Sequence, residues 1–141
     1  MAAATEDRNT SKRLGDLFSY LVGADEVIPA GVIVGADANG FAENAVAGSA
    51  SVLGRSEEAV TNLDGANGDQ AIEVLKGRFL FENDGVNPVV QADVGQQATL
   101  VDNQTVATPG GAGPNAGRIE SVSTAGVWVD MRDIALIEES A

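Results

Sequence analysis

The amino-acid sequence predicts an all-β fold, a small single-domain β-barrel or β-sandwich of short hairpins with at most one or two short helical turns and an extended N-terminal arm. Glycine is the first sign, since 17 of 141 residues signal many chain reversals. Aromatic residues make up only 4% of the chain, so the core must be built from Val, Ile, Leu and Ala, a set whose β-branched members fit pleated surfaces. The third sign is alternation. It is clearest in Gly117-Arg118-Ile119-Glu120-Ser121-Val122, a polar break from Ser123 to Gly126, and Val127-Trp128-Val129-Asp130-Met131, which together read as a β-hairpin. Gly126 supplies positive φ where the chain reverses. Trp128, the only Trp, is expected to seal the core opposite Val127 and Val129, with an anchor between subunits as the other reading.

The predicted arm covers residues 1–20 and the β-rich body residues 21–141. Ala2 to Ser11 has no periodicity and few apolar residues, so alone in solution it is expected to be mobile. Leu17-Phe18-Ser19-Tyr20-Leu21-Val22 is apolar enough to dock or to pair as an edge strand. Val27-Ile28 and Val32-Ile33-Val34 flank Pro29-Ala30-Gly31 and form two short strands or one bent strand. Val32 to Glu43 reads as a hairpin around the turn Gly35 to Gly40. Strands follow at Ser51 to Ser56 and Ala59 to Thr61, ahead of the loop Asn62 to Asp69.

Ala71 to Phe81 is the longest strand signal. Its apolar phase moves from Ile72 and Val74 to Phe79 and Phe81, which predicts a bulge at Gly77. Val89 to Val94 predicts a single helical turn stopped by Gly95. Ala98 to Val101 and Thr105 to Ala107 are strands, and Thr108 to Asn115 is a Gly/Pro loop. Arg132 to Ala141 suits a last strand or a short helix. No sequence repeat is evident.

Composition narrows the chemistry. There is no Cys and no His, which excludes disulfides, thiolate metal sites, cysteine nucleophiles and a Ser-His-Asp triad. No catalytic residue and no cofactor is expected. Net charge is -13, a surface that repels a phosphate backbone, so no nucleic-acid partner is expected. No apolar window is of membrane-spanning or signal-peptide length, so no membrane partner is expected either. Residues 1–20 are neutral, with Arg8, Lys12 and Arg13 against Glu6, Asp7 and Asp16, and the remainder carries the whole negative charge.

Asp64, Asn67 and Asp69 place three oxygen-bearing side chains in one loop, which suits a hard Ca²⁺ ion. The loop lacks the spacing and the closing Glu of an EF-hand, and its DG and NG pairs are ordinary turn punctuation. A Ca-dependent binding or adhesion module built on Asp64 to Asp69 is therefore the alternative function. Arg55, Arg78 and Arg118 fall inside predicted strands, where each is expected to pair with carboxylates within the body or across a subunit contact.

Five pieces in succession carry a family resemblance: Val27-Ile28-Pro29-Ala30-Gly31-Val32-Ile33-Val34; Val74 to Phe81 with Gly77-Arg78-Phe79; Gln91-Ala92-Asp93-Val94-Gly95-Gln96; Val101-Asp102-Asn103-Gln104-Thr105-Val106; and Ala116-Gly117-Arg118-Ile119 with Gly126-Val127-Trp128-Val129. In this order and spacing, from Val27 to Met131, the chain resembles the capsid decoration, or head cement, proteins of tailed bacteriophages. The resemblance implies a structural virion protein, made soluble in the host cytoplasm, that binds the outer surface of the assembled capsid and stabilises it. It implies the major capsid protein and further copies of the chain, as a homotrimer, as partners. The expected capsid-binding residues are Arg8, Lys12, Arg13, Leu17, Phe18 and Tyr20. Arg78, Arg118 and Trp128 are the expected subunit or core contacts.

Overall fold

The computed structural model describes residues 2–10 and 15–135. Within them the chain forms strands β1 (Leu17–Leu21), β2 (Val27–Ile28), β3 (Ile33–Ala36), β4 (Ala42–Asn44), β5 (Ser51–Ser56), β6 (Val60–Thr61) and β7 (Ala71–Leu75). After Lys76 and Gly77 come β8 (Arg78–Asn83), a 3-10 turn (Gln91–Asp93), β9 (Gln97–Leu100), β10 (Thr105–Ala107), β11 (Asn115–Ser123) and β12 (Gly126–Asp130). The all-β expectation holds, and the 3-10 turn ended by Gly95 at φ 92° is the helical turn foreseen at Val89 to Val94.

The strands make one sheet that curls into an incompletely closed barrel and one similar barrel that is closed. The first is a sheet in the order β1-β7-β5-β3-β4 whose ends meet at a parallel bridge between Val22 and Ala42. The second is a closed barrel in the order β10-β8-β12-β11-β9. β2 and β6 pair separately, Val27 opposite Thr61. Val22, Ile28, Val34, Ala42, Ile72 and Val74 fill the first core, with Tyr20 and Leu53 packed against it. The second core holds Phe81, Leu100, Val106, Ile119, Val127, Val129 and Met131, and also Ile33, Ala45 and Val52 from the first half of the chain. β3 and β5 are thus a shared wall. Alternation sends Val34 and Leu53 to one core and Ile33 and Val52 to the other, so β3 is buried at every position. Ile33 N–H donating to Asn103 O (2.7 Å), an antiparallel bridge from Val46 to Asp102, and Asn103 Nδ2 donating to Asn44 Oδ1 (3.0 Å) fasten the barrels beside that wall.

The two barrels are copies of one topology, a structural repeat that the sequence does not announce. β1, β7, β5, β3 and β4 correspond to β8, β12, β11, β9 and β10. Phe18 pairs with Val74 as Phe79 pairs with Val129, and Tyr20 with Ile72 as Phe81 with Val127. Val34 lies opposite Gly54 as Ala98 lies opposite Gly117, and a register irregularity follows each pair at the same place. The closing bonds match as well: Gly23 N–H to Ala42 O and Asp84 N–H to Val106 O are both 2.9 Å. Lys76 N–H to Asp16 O (2.9 Å) and Met131 N–H to Gly77 O (2.8 Å) occupy equivalent places at the other end. The irregularities explain why both copies hold a Gly-Arg pair, Gly54-Arg55 and Gly117-Arg118. Gly54 and Gly117 sit at φ 152° and 132°, and a Cβ on either would lie 2.7 Å from the carbonyl oxygen of Leu75 or of Asp130.

Three expectations need correction. Ala71 to Phe81 is not one strand with a bulge at Gly77. The phase change marks the crossing from β7 in the first barrel to β8 in the second, because each strand turns its apolar residues toward its own core. The arm ends before residue 20, since β1 begins at Leu17 and pairs with β7 along its length, from Leu17 opposite Leu75 to Leu21 opposite Ala71. Trp128 does not seal the core. Val127 and Val129 are fully buried and take the inward places, so alternation turns Trp128 outward, 44% exposed. The last strand or helix suggested after Arg132 lies mostly outside the described residues, and Arg132 to Ala135 form no regular element.

Candidate functional site

The N-terminal segment carries the first group of expected contact residues. Residues 2–10 form no strand or helix and are exposed; within them Arg8 Nη1 donates to Thr10 Oγ1 (3.0 Å). Lys12 and Arg13 lie outside the described residues. Leu17, Phe18 and Tyr20 are brought together in β1, which is an edge of its sheet except at Val22. Phe18 and Tyr20 face Lys76, whose ammonium lies 5.5 and 5.6 Å from the two ring centroids. Lys76 Nζ also donates to the Leu53 carbonyl, so one cation holds the strand to its neighbours. Leu17 and Leu21 are 52% and 55% exposed. Lys76 N–H donates to Asp16 O and Val22 N–H to Gln70 O. Even-numbered positions therefore turn their backbone groups toward β7, and Leu17, Ser19 and Leu21 turn theirs away from it. Among the described residues no strand covers the outward groups of Leu17 and Ser19, while at Leu21 β4 closes against the chain through the Val22–Ala42 bridge.

Arg78, Arg118 and Trp128 come together on the outer wall formed by β8, β12 and β11. Leu80, Trp128 and Ser121 lie side by side across the three strands, and beside them run Arg78, Asp130 and Arg118. Asp130 organises this row. Arg132 grips it through Nε to Oδ1 (3.0 Å), Nη2 to Oδ2 (3.1 Å) and its own backbone N–H to Oδ1 (3.0 Å). Arg78 Nε lies 3.5 Å from Glu120 Oε1 and 3.8 Å from Asp130 Oδ2, and Arg118 Nη1 lies 3.7 Å from Asp133 Oδ2. Each predicted arginine thus finds a carboxylate within the chain, as does Arg55 with Glu57 at 2.8 Å. Arg55 in addition lies over the Phe79 ring, 4.8 Å from its centroid. Asp16, Lys76, Arg78 and Arg132 line a hollow of about 280 Å³ at the same end of the molecule.

The fork of hydrogen bonds from Arg132 holds the Asp130 carboxyl below the usual carboxylate value of 3.8, against the opposing push of burial. A depressed folded-state pKa adds stability that is present above the unfolded value and is lost as pH falls through the folded one. Asp130→Asn is therefore expected to lower the unfolding free energy at pH 7 by about 1 kcal/mol, the size of a charge-assisted bond to a part-exposed partner. In urea titrations repeated at falling pH, the gap between wild type and variant should close below about pH 4. A gap that stays constant into strong acid would show that the carboxylate charge is not what stabilises the wall.

In the loop around Asp64, Asn67 and Asp69, two of the three side chains give an oxygen to backbone N–H groups. Asn67 Oδ1 accepts from Ala24 N–H (2.8 Å) and Asp69 Oδ2 accepts from Ala66 N–H (2.9 Å). Asp64 sits at φ 60°, and its N–H donates to Asp25 Oδ1 (2.7 Å). From inside the loop Asn62 Nδ2 donates to Gly23 O (2.8 Å) and Ala66 O (3.0 Å). These bonds explain the loop's composition as turn chemistry. Among the described residues no group of three His, Cys, Asp or Glu side chains is placed to hold a metal ion.

Sequence reasoning missed Leu80, Glu120, Asp130 and Arg132 as members of the Trp128 wall and Lys76 as the holder of β1. Leu80 was legible in principle, because it lies between Phe79 and Phe81 in an alternating strand and must face away from both. No family model, curated protein or solved structure matches the chain.

Proposed function

We propose that this chain is a capsid decoration protein that binds the outer face of an assembled phage head and reinforces it. Its partner is the major capsid protein of the same virus, and it acts as a homo-oligomer, the trimer that the resemblance implies. It is made in soluble form in the host cytoplasm and ends on the virion surface. The observation that carries this reading is the exposed segment 2–10, without strand or helix, ahead of β1, whose outward backbone groups at Leu17 and Ser19 have no strand beside them among the described residues. Such an edge offers main-chain hydrogen bonds to a shell protein. The resemblance of Val27 to Met131 to head cement proteins supports the same reading, and the reading assigns the body no catalysis. Many modest contacts repeated around a shell clamp neighbouring subunits by valency.

The direct experiment mixes purified protein with undecorated heads and, separately, with free shell subunits. Binding to heads alone, with a gain in their resistance to heat, is expected. Equal binding to both, or no gain, would defeat the proposal. Removing residues 1–14 leaves β1 and Asp16 in place, so the body should unfold at its usual urea midpoint while head binding weakens roughly tenfold or more, as loss of one arm per subunit multiplies over the oligomer. Unchanged head affinity would dismiss the arm.

A further inference from the structure

We infer that the outer wall centred on Trp128 and Leu80 is a self-association surface whose occupant is a second copy of this chain. The repeat supplies an internal control. Leu80 opposite Trp128 in the second barrel corresponds to Ser19 opposite Glu73 in the first. The same outward cross-strand pair is polar in one copy of the topology and apolar in the other, so folding of the barrel does not require Leu or Trp there. Yet the chain spends its only Trp at this place, with Trp128 44% and Leu80 41% exposed. A half-exposed Trp next to arginines has the composition of an interface centre.

Charge selects the occupant. On and beside this wall Arg78, Arg118 and Arg132 face Glu120, Asp130 and Asp133, with Glu82 outward next to Leu80 on β8, so the patch is close to neutral. Elsewhere in residues 15–135 carboxylates far outnumber the two other bases, Arg55 and Lys76. Two molecules each carrying -13 repel wherever those carboxylates meet, and this wall is where they approach at least electrostatic cost. A strongly basic partner would be drawn to the acidic faces instead. The wall is also self-complementary. Asp130 is buried and held by Arg132, but Arg78 and Arg118 are more than half exposed beside the part-exposed carboxylates of Glu120 and Asp133, so a second copy can set guanidinium against carboxylate. Salt, by screening the overall repulsion while leaving the apolar centre intact, strengthens the contact.

This inference rests on the homo-oligomer part of the function proposed above and not on capsid binding, and its test uses no heads. The full-length protein is followed by sedimentation equilibrium over a dilution series, beside Trp128→Ser, Leu80→Lys and, as a control, Leu63→Ser, which removes a still more exposed apolar side chain from a loop outside the wall. All three positions are exposed, and circular dichroism checks that the variants fold. Wild type and Leu63→Ser should associate, with Trp emission moving to the blue on assembly and association tightening as salt rises. Trp128→Ser and Leu80→Lys should weaken association roughly 30-fold, the loss typical of a central aromatic contact. A wild type that stays monomeric at every concentration, or wall variants that assemble as wild type does, would overturn the inference.

Discussion

Alanine at Gly117 is expected to lower the unfolding free energy by about 4 kcal/mol, the sum of a strained backbone and an overpacked contact, and alanine at Gly54 is expected to do the same. Gly117 sits at φ 132° in β11, where a Cβ would lie 2.7 Å from Asp130 O and 2.7 Å from Val129 Cγ1. Gly54 sits at φ 152° in β5, with Leu75 O and Val74 Cγ1 at 2.7 Å. Neither obstacle is the loose end of a long side chain. Both carbonyls belong to the neighbouring strand, so relief requires the ladder to part. Gly40, at φ 84° with nothing within 4 Å of a Cβ, isolates the conformational part, and alanine there should cost about 1 kcal/mol. Urea unfolding of the three variants, read by far-ultraviolet circular dichroism, separates the contributions. If Gly117→Ala proves as mild as Gly40→Ala, the close approach of β11 to β12 is wrong. If Gly54→Ala and Gly117→Ala differ widely, the equivalence of the barrels does not extend to their energetics.

These two glycines also show what was legible in the sequence and what was not. Alternation and turn residues were enough to locate most strands, because Val127 and Val129, or Ile72 and Val74, place apolar side chains at period two and Gly126 or Gly40 can reverse the chain. The repeat stayed hidden because register and backbone bonding constrain which face a residue points to more than which residue it is. Tyr20 stands for Phe81, Ile72 for Val127 and Ala42 for Val106, and any of these fills an inward place. Only where geometry leaves a single answer, at Gly54 and Gly117, do the copies keep the same residue for a visible reason. The change of phase at Gly77 does not by itself identify its cause, since a bulge and a step from one barrel to another leave the same mark on one strand. Alternation sets Trp128 opposite its valines but does not say which face is the inner one. Size argued for the core, but two small barrels lined by Val, Ile and Leu have no room that Trp must fill. The edge at Leu17 to Leu21 was visible as an apolar run, whereas its attachment through Lys76 was not, because that contact joins residues far apart in sequence.

The shared wall makes a last prediction, that the two barrels unfold as one. Ile33 lies in β3 of the first barrel, yet its side chain is fully buried in the second core, and its N–H donates to Asn103 O beyond β9. Truncation to alanine removes apolar volume at the seam with no mobile neighbour to fill it, and should cost about 3 kcal/mol. The chain supplies its own local reporters, since its only Tyr, Tyr20, packs against the first core and its only Trp, Trp128, stands on the second barrel. In wild type the Tyr and Trp signals should follow one urea transition, the mark of a two-state domain. Ile33→Ala should move both midpoints together, and so should Ile72→Ala, although Ile72 is buried in the first core alone. Sharing β3 and β5 means that neither core can open without exposing one face of the other, so loss of either removes the wall on which both depend. An Ile72→Ala protein whose Tyr20 signal melts early while Trp128 holds its wild-type midpoint would show that the barrels are independent units, and the shared wall only a place where they touch.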